Sequence, residues 1–135
     1  MVWQTVYPSD AFGTRICPVT SVLIVDDHPS FRASARRLLE ADGCTVVGEA
    51  ADGASAVAAA GELKPDVVLL DVRLPDIDGF EVARRLAAAG SQAAVVLTSS
   101  RAAEGYGPLL AESPACGFIP KGELSGAALS GLLSD

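Results

Sequence analysis

DVVLLDVRLPDIDGFEVARRL, residues 66–86, changes character twice. Asp66–Leu70 runs into continuous aliphatics, the pattern of a strand covered on both faces rather than one half open to water. RLPDIDG follows and reads as a loop by its proline, aspartates and glycine. From Phe80 the pattern becomes helical, over Phe80–Ala89 with a stop at Gly90. A buried strand, a polar turn and a helix in that order form half of a βαβ unit, and the rest of the chain repeats it in both directions.

Upstream, Ser21–Val25 (SVLIV) is a short apolar run, and Pro29 suits the first turn of the helix after it. Phe31, Ala35, Leu38 and Leu39 make that helix's inner stripe, and Gly43 ends it. Thr45–Ala50 is a second strand, and Gly53–Leu63 is an alanine-rich helix stopped near Pro65. Downstream, Ala93–Leu97 and Gly117–Ile119 read as the fourth and fifth strands, and Leu124–Leu133 as a last helix. Between those strands, RAAEGYGPLLAESPA carries Gly105, Gly107 and Pro108, all opposed to helix, so a helix of two turns from Pro108, or a frayed one, is expected. This alternation predicts right-handed crossovers and a parallel five-stranded sheet. Residues 1–20 stand outside it as an N-terminal extension, and 21–135 form one domain.

Composition narrows the function. The chain has 135 residues, enough for one domain with one good core, and a net charge of −7. Its cations reach no further than the pairs Arg36-Arg37 and Arg84-Arg85. Nucleic-acid binding through counterion release needs clustered cations, so direct binding is not expected. Aromatic residues are only 5% of the chain, which suits helices packed closely on a sheet rather than an aromatic ligand cage. Cys17, Cys44 and Cys116 show no CxxC or Cys/His spacing and read as thiols in a reducing compartment. No apolar run approaches the ~20 residues that span a bilayer, and the N-terminus has no secretory pattern. No membrane insertion and a cytoplasmic location are therefore expected.

In an open parallel sheet, ligands bind beyond the carboxyl ends of the strands. The first strand delivers Asp26 and Asp27 there, the third Asp71, the fourth Thr98 followed by Ser99 and Ser100, and the fifth Lys121. Each alone has an ordinary explanation, such as helix capping or a solvated lysine. Together they place carboxylates, a hydroxyl and an ammonium on one sheet edge. Two carboxylates about 4 Å apart repel by roughly 4 kcal/mol at an effective dielectric of 20. Such a group calls for a cation, and hard oxygen ligands with room for water suit Mg²⁺. A carboxylate so placed has the chemistry to attack phosphorus. Asp76 and Asp78 follow Pro75 and are expected to bond their own backbone in the turn.

VDDHPSFR (25–32), LLDVRLPDIDGFEV (69–82), VVLTSS (95–100) and GFIPK (117–121) together resemble a bacterial two-component response-regulator receiver domain of the CheY-like kind. The resemblance covers about residues 21–133. It implies a flavodoxin-like (βα)5 three-layer sandwich with strand order 2-1-3-4-5, and a phosphorylation-switched signalling role. It implies Asp71 as phosphoacceptor, with Thr98 and Lys121 bonding the phosphoryl group. Asp26, Asp27, Asp71 and the backbone carbonyl of Arg73 would hold Mg²⁺. Phe118 matches the aromatic switch position, and Arg73 and Ser100 the positions that tune the phosphoryl lifetime. The implied partners are a sensor histidine kinase or phosphotransfer protein, and an effector protein on the face of the fourth helix, fifth strand and fifth helix. The only catalysis implied is the domain's own phosphorylation and dephosphorylation.

The resemblance has departures: Lys121 is preceded by Pro120 and followed by Gly122 where the familiar pattern has proline after the lysine, and the segment before the fifth strand, where the switching helix belongs, is interrupted. His28, beside Pro29 at a helix start, reads as a capping or surface side chain. A stand-alone receiver is the favoured reading, with the receiver part of a DNA-binding regulator as an alternative, since DDHPSFR resembles receivers fused to helix-turn-helix domains. A phosphorylation-independent receiver is a further alternative. A flavin binder would want a Ser/Thr/Gly phosphate loop after the first strand instead of Asp26-Asp27, and an aspartate-nucleophile phosphatase would need a substrate-covering cap.

Overall fold

The computed structural model describes residues 21–100 and 105–133; the expectations for the extension 1–20 lie outside them. Strands β1 (Ser21–Val25), β2 (Thr45–Ala50), β3 (Val67–Asp71), β4 (Ala94–Ser99) and β5 (Gly117–Pro120) alternate with helices. The helices are α1 (Pro29–Ala41), α2 (Gly53–Leu63), α3 (Gly79–Ala88), α4 (Pro108–Glu112) and α5 (Gly126–Leu133), with a 3-10 turn at Lys121–Glu123. All pairings are parallel, in the expected order β2-β1-β3-β4-β5.

The strand residues divide by parity, as a sheet buried on both faces requires. Leu23, Val25, Val68, Leu70, Val95 and Leu97 pack with Ala56 and Ala60 of α2 and with Phe80, Val82 and Leu86 of α3. Val22, Ile24, Val67, Leu69, Val96 and Ile119 pack instead with Ala35 and Leu39 of α1 and Leu129 of α5. Fully burying one such Leu or Val stabilises the fold by about 1.5–3 kcal/mol, so these two layers fix the strand ends in space.

The structure shifts several boundaries. Strand β3 runs one residue further than expected, because Asp71 pairs with Thr98 of β4 while Asp66 is drawn into a cap. There Asp66 Oδ2 accepts from the Ser21 amide at 3.1 Å, and the Asp66 amide donates to Ser21 Oγ at 2.8 Å. Strand β4 likewise runs on through Thr98 and Ser99. Leu38, expected in the inner stripe of α1, is 46% exposed, since the helix turns Ala35 and Leu39 to the sheet and leaves Leu38 at the margin.

Helix α5 begins at Gly126 rather than Leu124. Its first amide donates to Asp42 Oδ2, 2.6 Å away at the end of α1, and a Cβ on Gly126 would lie 2.4 Å from Asp42 Cβ. Helix α4 has five residues rather than two turns, and Gly107 before it takes φ +51°, a left-handed value that suits glycine. The cysteine expectation needs correcting too: Cys44 is disulfide-bonded, while Cys116 is a free thiol. Sequence spacing alone does not say which cysteines a fold brings together.

Candidate functional site

The fold brings together the residues expected at the carboxyl edge. Asp26 is fully buried, Asp71 is 3% exposed and Thr98 is fully buried. Lys121, carried on the 3-10 turn after β5, places Nζ 2.7 Å from Asp26 Oδ2 and 3.5 Å from Asp71 Oδ2. The same ammonium lies 4.4 Å from the centroid of the Phe31 ring, a cation–π contact that holds the chain of Lys121 from α1. Glycine at 122 therefore does not keep Lys121 out of the site, and all peptide bonds among the described residues are trans.

The carboxylates are held differently. Asp26 is fixed at its backbone: its amide donates to Ala50 O at 3.0 Å, and its carbonyl accepts from Arg32 Nη1 at 2.7 Å. Its Oδ1 accepts from the His28 amide at 2.8 Å. Burial pushes the Asp26 carboxyl upward, but the Lys121 ammonium and the donors of His28 outweigh it and leave it below the usual value. Among the described residues, Asp71 Oδ1 accepts a hydrogen bond only from the Arg73 amide, at 3.3 Å. Burial and the neighbouring Asp26 charge push Asp71 up to about 6, against the partial relief given by Lys121. Of the two, Asp71 is the carboxylate whose charge is left least satisfied.

This arrangement fits a divalent cation. Among the described residues, the buried side-chain oxygen that accepts no hydrogen bond of aligned geometry is Asp26 Oδ2. Asp26, Asp27, His28 and Asp71 each offer a ligand atom, all within 4.8 Å of one another. Asp27 is exposed, so the cluster opens to water on one side. Hard carboxylate oxygens with room for retained waters suit Mg²⁺.

His28 does not cap α1 through its side chain, which corrects half of its expected role. Its ring is 64% exposed and its Nδ1 lies 3.0 Å from Asp26 and 3.1 Å from Asp27. It is thus a surface side chain, but one at the mouth of the acidic cluster.

Thr98 Oγ1 donates to Ile119 O at 2.7 Å, so its hydroxyl bridges β4 to β5. Phe118 is half-buried and packs against the core on the face of α2 and α3. Arg73 and Ser100 are both exposed, at the rim beyond the strands that carry Asp71 and Thr98.

Three supports hold the loop after Asp71, and only Asp78 acts wholly as the sequence led one to expect. Asp76 bonds its own turn as expected, through the backbone at Asp76 and Ile77, and also reaches the start of α2, where it accepts from the Gly53 and Ala54 amides at 2.8 and 2.9 Å. The Gly53 amide heads the causes that lower Asp76 to about 2. Asp78 caps α3, accepting from the Glu81 amide at 2.8 Å. The spacing Asp78-x-x-Glu81 is a readable capping signal, whereas nothing local pairs Asp76 with a helix that begins 23 residues earlier. Gly79 is the third support: its amide donates to Val72 O at 2.7 Å, and a Cβ there would lie 2.4 Å from the Asp71 carbonyl oxygen.

Comparison with known proteins gives the family and supports the fold. The family described as "Response regulator receiver domain" matches residues 22–128. Response regulator GacA of Pseudomonas viridiflava is 39% identical over 102 residues, which cover 75% of this chain and 48% of that protein. The chain spans about half the length of the curated relatives it matches. Among solved structures, the signal receiver domain of NarL from Mycobacterium tuberculosis superposes with a TM-score of 0.77 at 34% identity, covering 87% of this chain and 98% of that one. The response regulator domain of Thermotoga maritima CheB gives 0.65 at 30% identity, covering 85% and 90%. With the sheet order, the family match and the likeness to solved receiver domains in agreement, the chain belongs to the response-regulator receiver domains.

Proposed function

We propose that the domain is a phosphorylation switch in which Asp71 accepts a phosphoryl group from a sensor histidine kinase or phosphotransfer protein. One observation carries the reading: Asp71 is a buried carboxylate pushed up to about 6, facing Asp26 with Lys121 Nζ within 3.5 Å. Asp26, Asp27, Asp71 and the Arg73 carbonyl would hold Mg²⁺, which when bound offsets the carboxylate charge and the charge on the transferring group.

The residues divide the work. A carboxylate oxygen of Asp71 forms the new bond to phosphorus as the donor's bond to phosphorus breaks, giving an aspartyl phosphate. Lys121 follows the new negative charge from the Asp26–Asp71 pair to a phosphoryl oxygen. Thr98 exchanges Ile119 O for another phosphoryl oxygen, and Phe118 beside it turns inward. Arg73 and Ser100, at the exposed rim, are placed to influence water attack and so the lifetime of the phosphoryl group. The surface of α4, β5 and α5 then repacks to control an effector protein. Catalysis extends only to the domain's own phosphorylation and dephosphorylation.

The setting belongs to the same proposal. Among the described residues no helix is long and apolar enough to cross a membrane, and we place the domain in the cytoplasm with its kinase. The curated relatives are about twice as long as the match, one of them called a "Putative transcriptional regulator". That length gives weight to the alternative of a receiver within a DNA-binding regulator. Either way the receiver itself makes no direct contact with nucleic acid.

Intact mass spectrometry after incubation with acetyl phosphate, with and without Mg²⁺, tests the proposal. A Mg²⁺-dependent phosphoryl adduct is expected on the wild type and none on Asp71→Asn. A wild type that never labels would instead favour a phosphorylation-independent binding module.

A further inference from the structure

Tyr106 touches the supports of all three reactive groups without touching the carboxylates. Its hydroxyl shares a 2.6 Å hydrogen bond with Ser99 Oγ. Ser99 is 2% exposed and follows Thr98 directly. The Tyr106 ring lies 6.0 Å from that of Phe118 at an interplanar angle of 54°, and Phe118 belongs to the strand that delivers Lys121. On its other side the ring meets Phe80 at 5.8 Å in an edge-on arrangement. Phe80 follows Gly79, whose backbone is packed on the Asp71 carbonyl. One side chain thus joins the end of β4, the strand leading to Lys121 and the helix start that supports Asp71.

We infer that Tyr106 is a positioning residue that latches the end of β4 through Ser99 and must release it when Thr98 changes partner. The inference rests on the phosphoryl-acceptor reading above and deepens it. Thr98 and Ser99 share a peptide and project to opposite faces of β4. In the arrangement seen here both hydroxyls are engaged, Thr98 with Ile119 O and Ser99 with Tyr106. Drawing Thr98 toward Asp71 moves the peptide that carries Ser99, and so strains the bond on the other face. The latch therefore favours the resting arrangement and opposes loading of Asp71. A half-buried tyrosine that merely fills space would also seek a hydroxyl partner, but its bond would be indifferent to what happens at Asp71.

The test uses the full chain with Tyr7→Phe, which leaves Tyr106 as the single tyrosine of the original two. Beryllofluoride with Mg²⁺ is titrated calorimetrically while the tyrosine ultraviolet difference spectrum is followed. A tyrosine band that shifts as the site saturates is expected, because the hydroxyl changes its hydrogen bonding. Adding Tyr106→Phe keeps both ring contacts and removes the latch, and should tighten beryllofluoride binding about three- to tenfold, the equivalent of one net hydrogen bond. Equal affinities in the two proteins overturn the latch, even if Tyr106→Phe lowers the unfolding midpoint as loss of a structural bond would. If the parent binds no beryllofluoride at all, the acceptor reading falls and the latch with it. Binding with equal affinities removes the latch alone.

Discussion

Asp71 ends β3 and Asp76 lies five positions further on, in the loop that follows; they carry the same side chain and are driven in opposite directions. Asp71 is pushed up to about 6 and Asp76 down to about 2. Distance to solvent explains part of the contrast, and partners explain the rest. Asp71 is buried beside Asp26 with one long contact from the Arg73 amide. Asp76 is exposed and holds two short amide contacts at the start of α2. One carboxylate is kept short of donors and the other is given them. That difference separates a group available for reaction from one that shapes a loop.

The largest expected effect comes from removing the unsatisfied charge. Asp71→Asn should abolish labelling and, in metal-free protein, raise stability at pH 7 by about 1–3 kcal/mol. The sign follows from the raised value. Below about pH 4 Asp71 is protonated in folded and unfolded chains alike and costs nothing. As pH rises toward 6 the unfolded chain ionises first, so the wild type loses stability over that window. Denaturant midpoints from pH 3 to 7 in EDTA should show wild type and Asp71→Asn diverging between about 4 and 6. Saturating Mg²⁺ should shrink the gap, since a bound cation stabilises the ionised wild type. A gap independent of both pH and Mg²⁺ would place its origin outside the carboxylate.

Gly79→Ala tests whether the loop's backbone matters as much as its charges. The added methyl would meet the Asp71 carbonyl oxygen at 2.4 Å and Val72 Cα at 2.9 Å. Neither is the end of a flexible side chain, so the backbone bearing Asp71 must shift. A loss of about 1–3 kcal/mol is expected, together with slower labelling at fixed acetyl phosphate. Normal labelling with lowered stability would show that Asp71 tolerates the shift.

Smaller again is Asp78→Ala, which removes the cap on the Glu81 amide. Loss of an N-cap costs about 1 kcal/mol, read as a lower urea midpoint, while labelling stays near wild type because α3 remains packed through Phe80, Val82 and Leu86.

The sheet was legible because apolar runs of strand length alternate with helical stripes, and burial by parity follows from that pattern alone. Asp26, Asp27, Asp71, Thr98 and Lys121 were legible as strand-end residues, since the ends of parallel strands share one edge. Gly105, Gly107 and Pro108 announced the brevity of α4. What escaped reading depends on distances across the fold. The Lys121–Asp26 pair and the Asp42 cap on α5 each join parts far apart in sequence. Gly79 looked like a turn glycine, and only the packed backbone shows that it lies against the Asp71 carbonyl. Tyr106 sits in the segment where helix reading was weakest, so its contacts had no frame until β4 and β5 were placed.

The smallest expected effect belongs to Asp76, and it is the sharpest test of the contrast on this loop. Its folded value lies below the ordinary one, so its stabilising contribution is present above about pH 4 and is lost as pH falls toward 2. Asp76→Ala should therefore lower the unfolding midpoint slightly at pH 6, with the difference shrinking over that acid window and no change in labelling. Asp71 writes its slope between about 4 and 6 and with the opposite sign. In metal-free wild type, a titration from pH 7 downward should first gain stability as Asp71 takes up its proton and only then lose it as Asp76 does. A stability curve that falls steadily from pH 7 would mean that burial does not hold Asp71 apart from the exposed carboxylates of the loop that follows it.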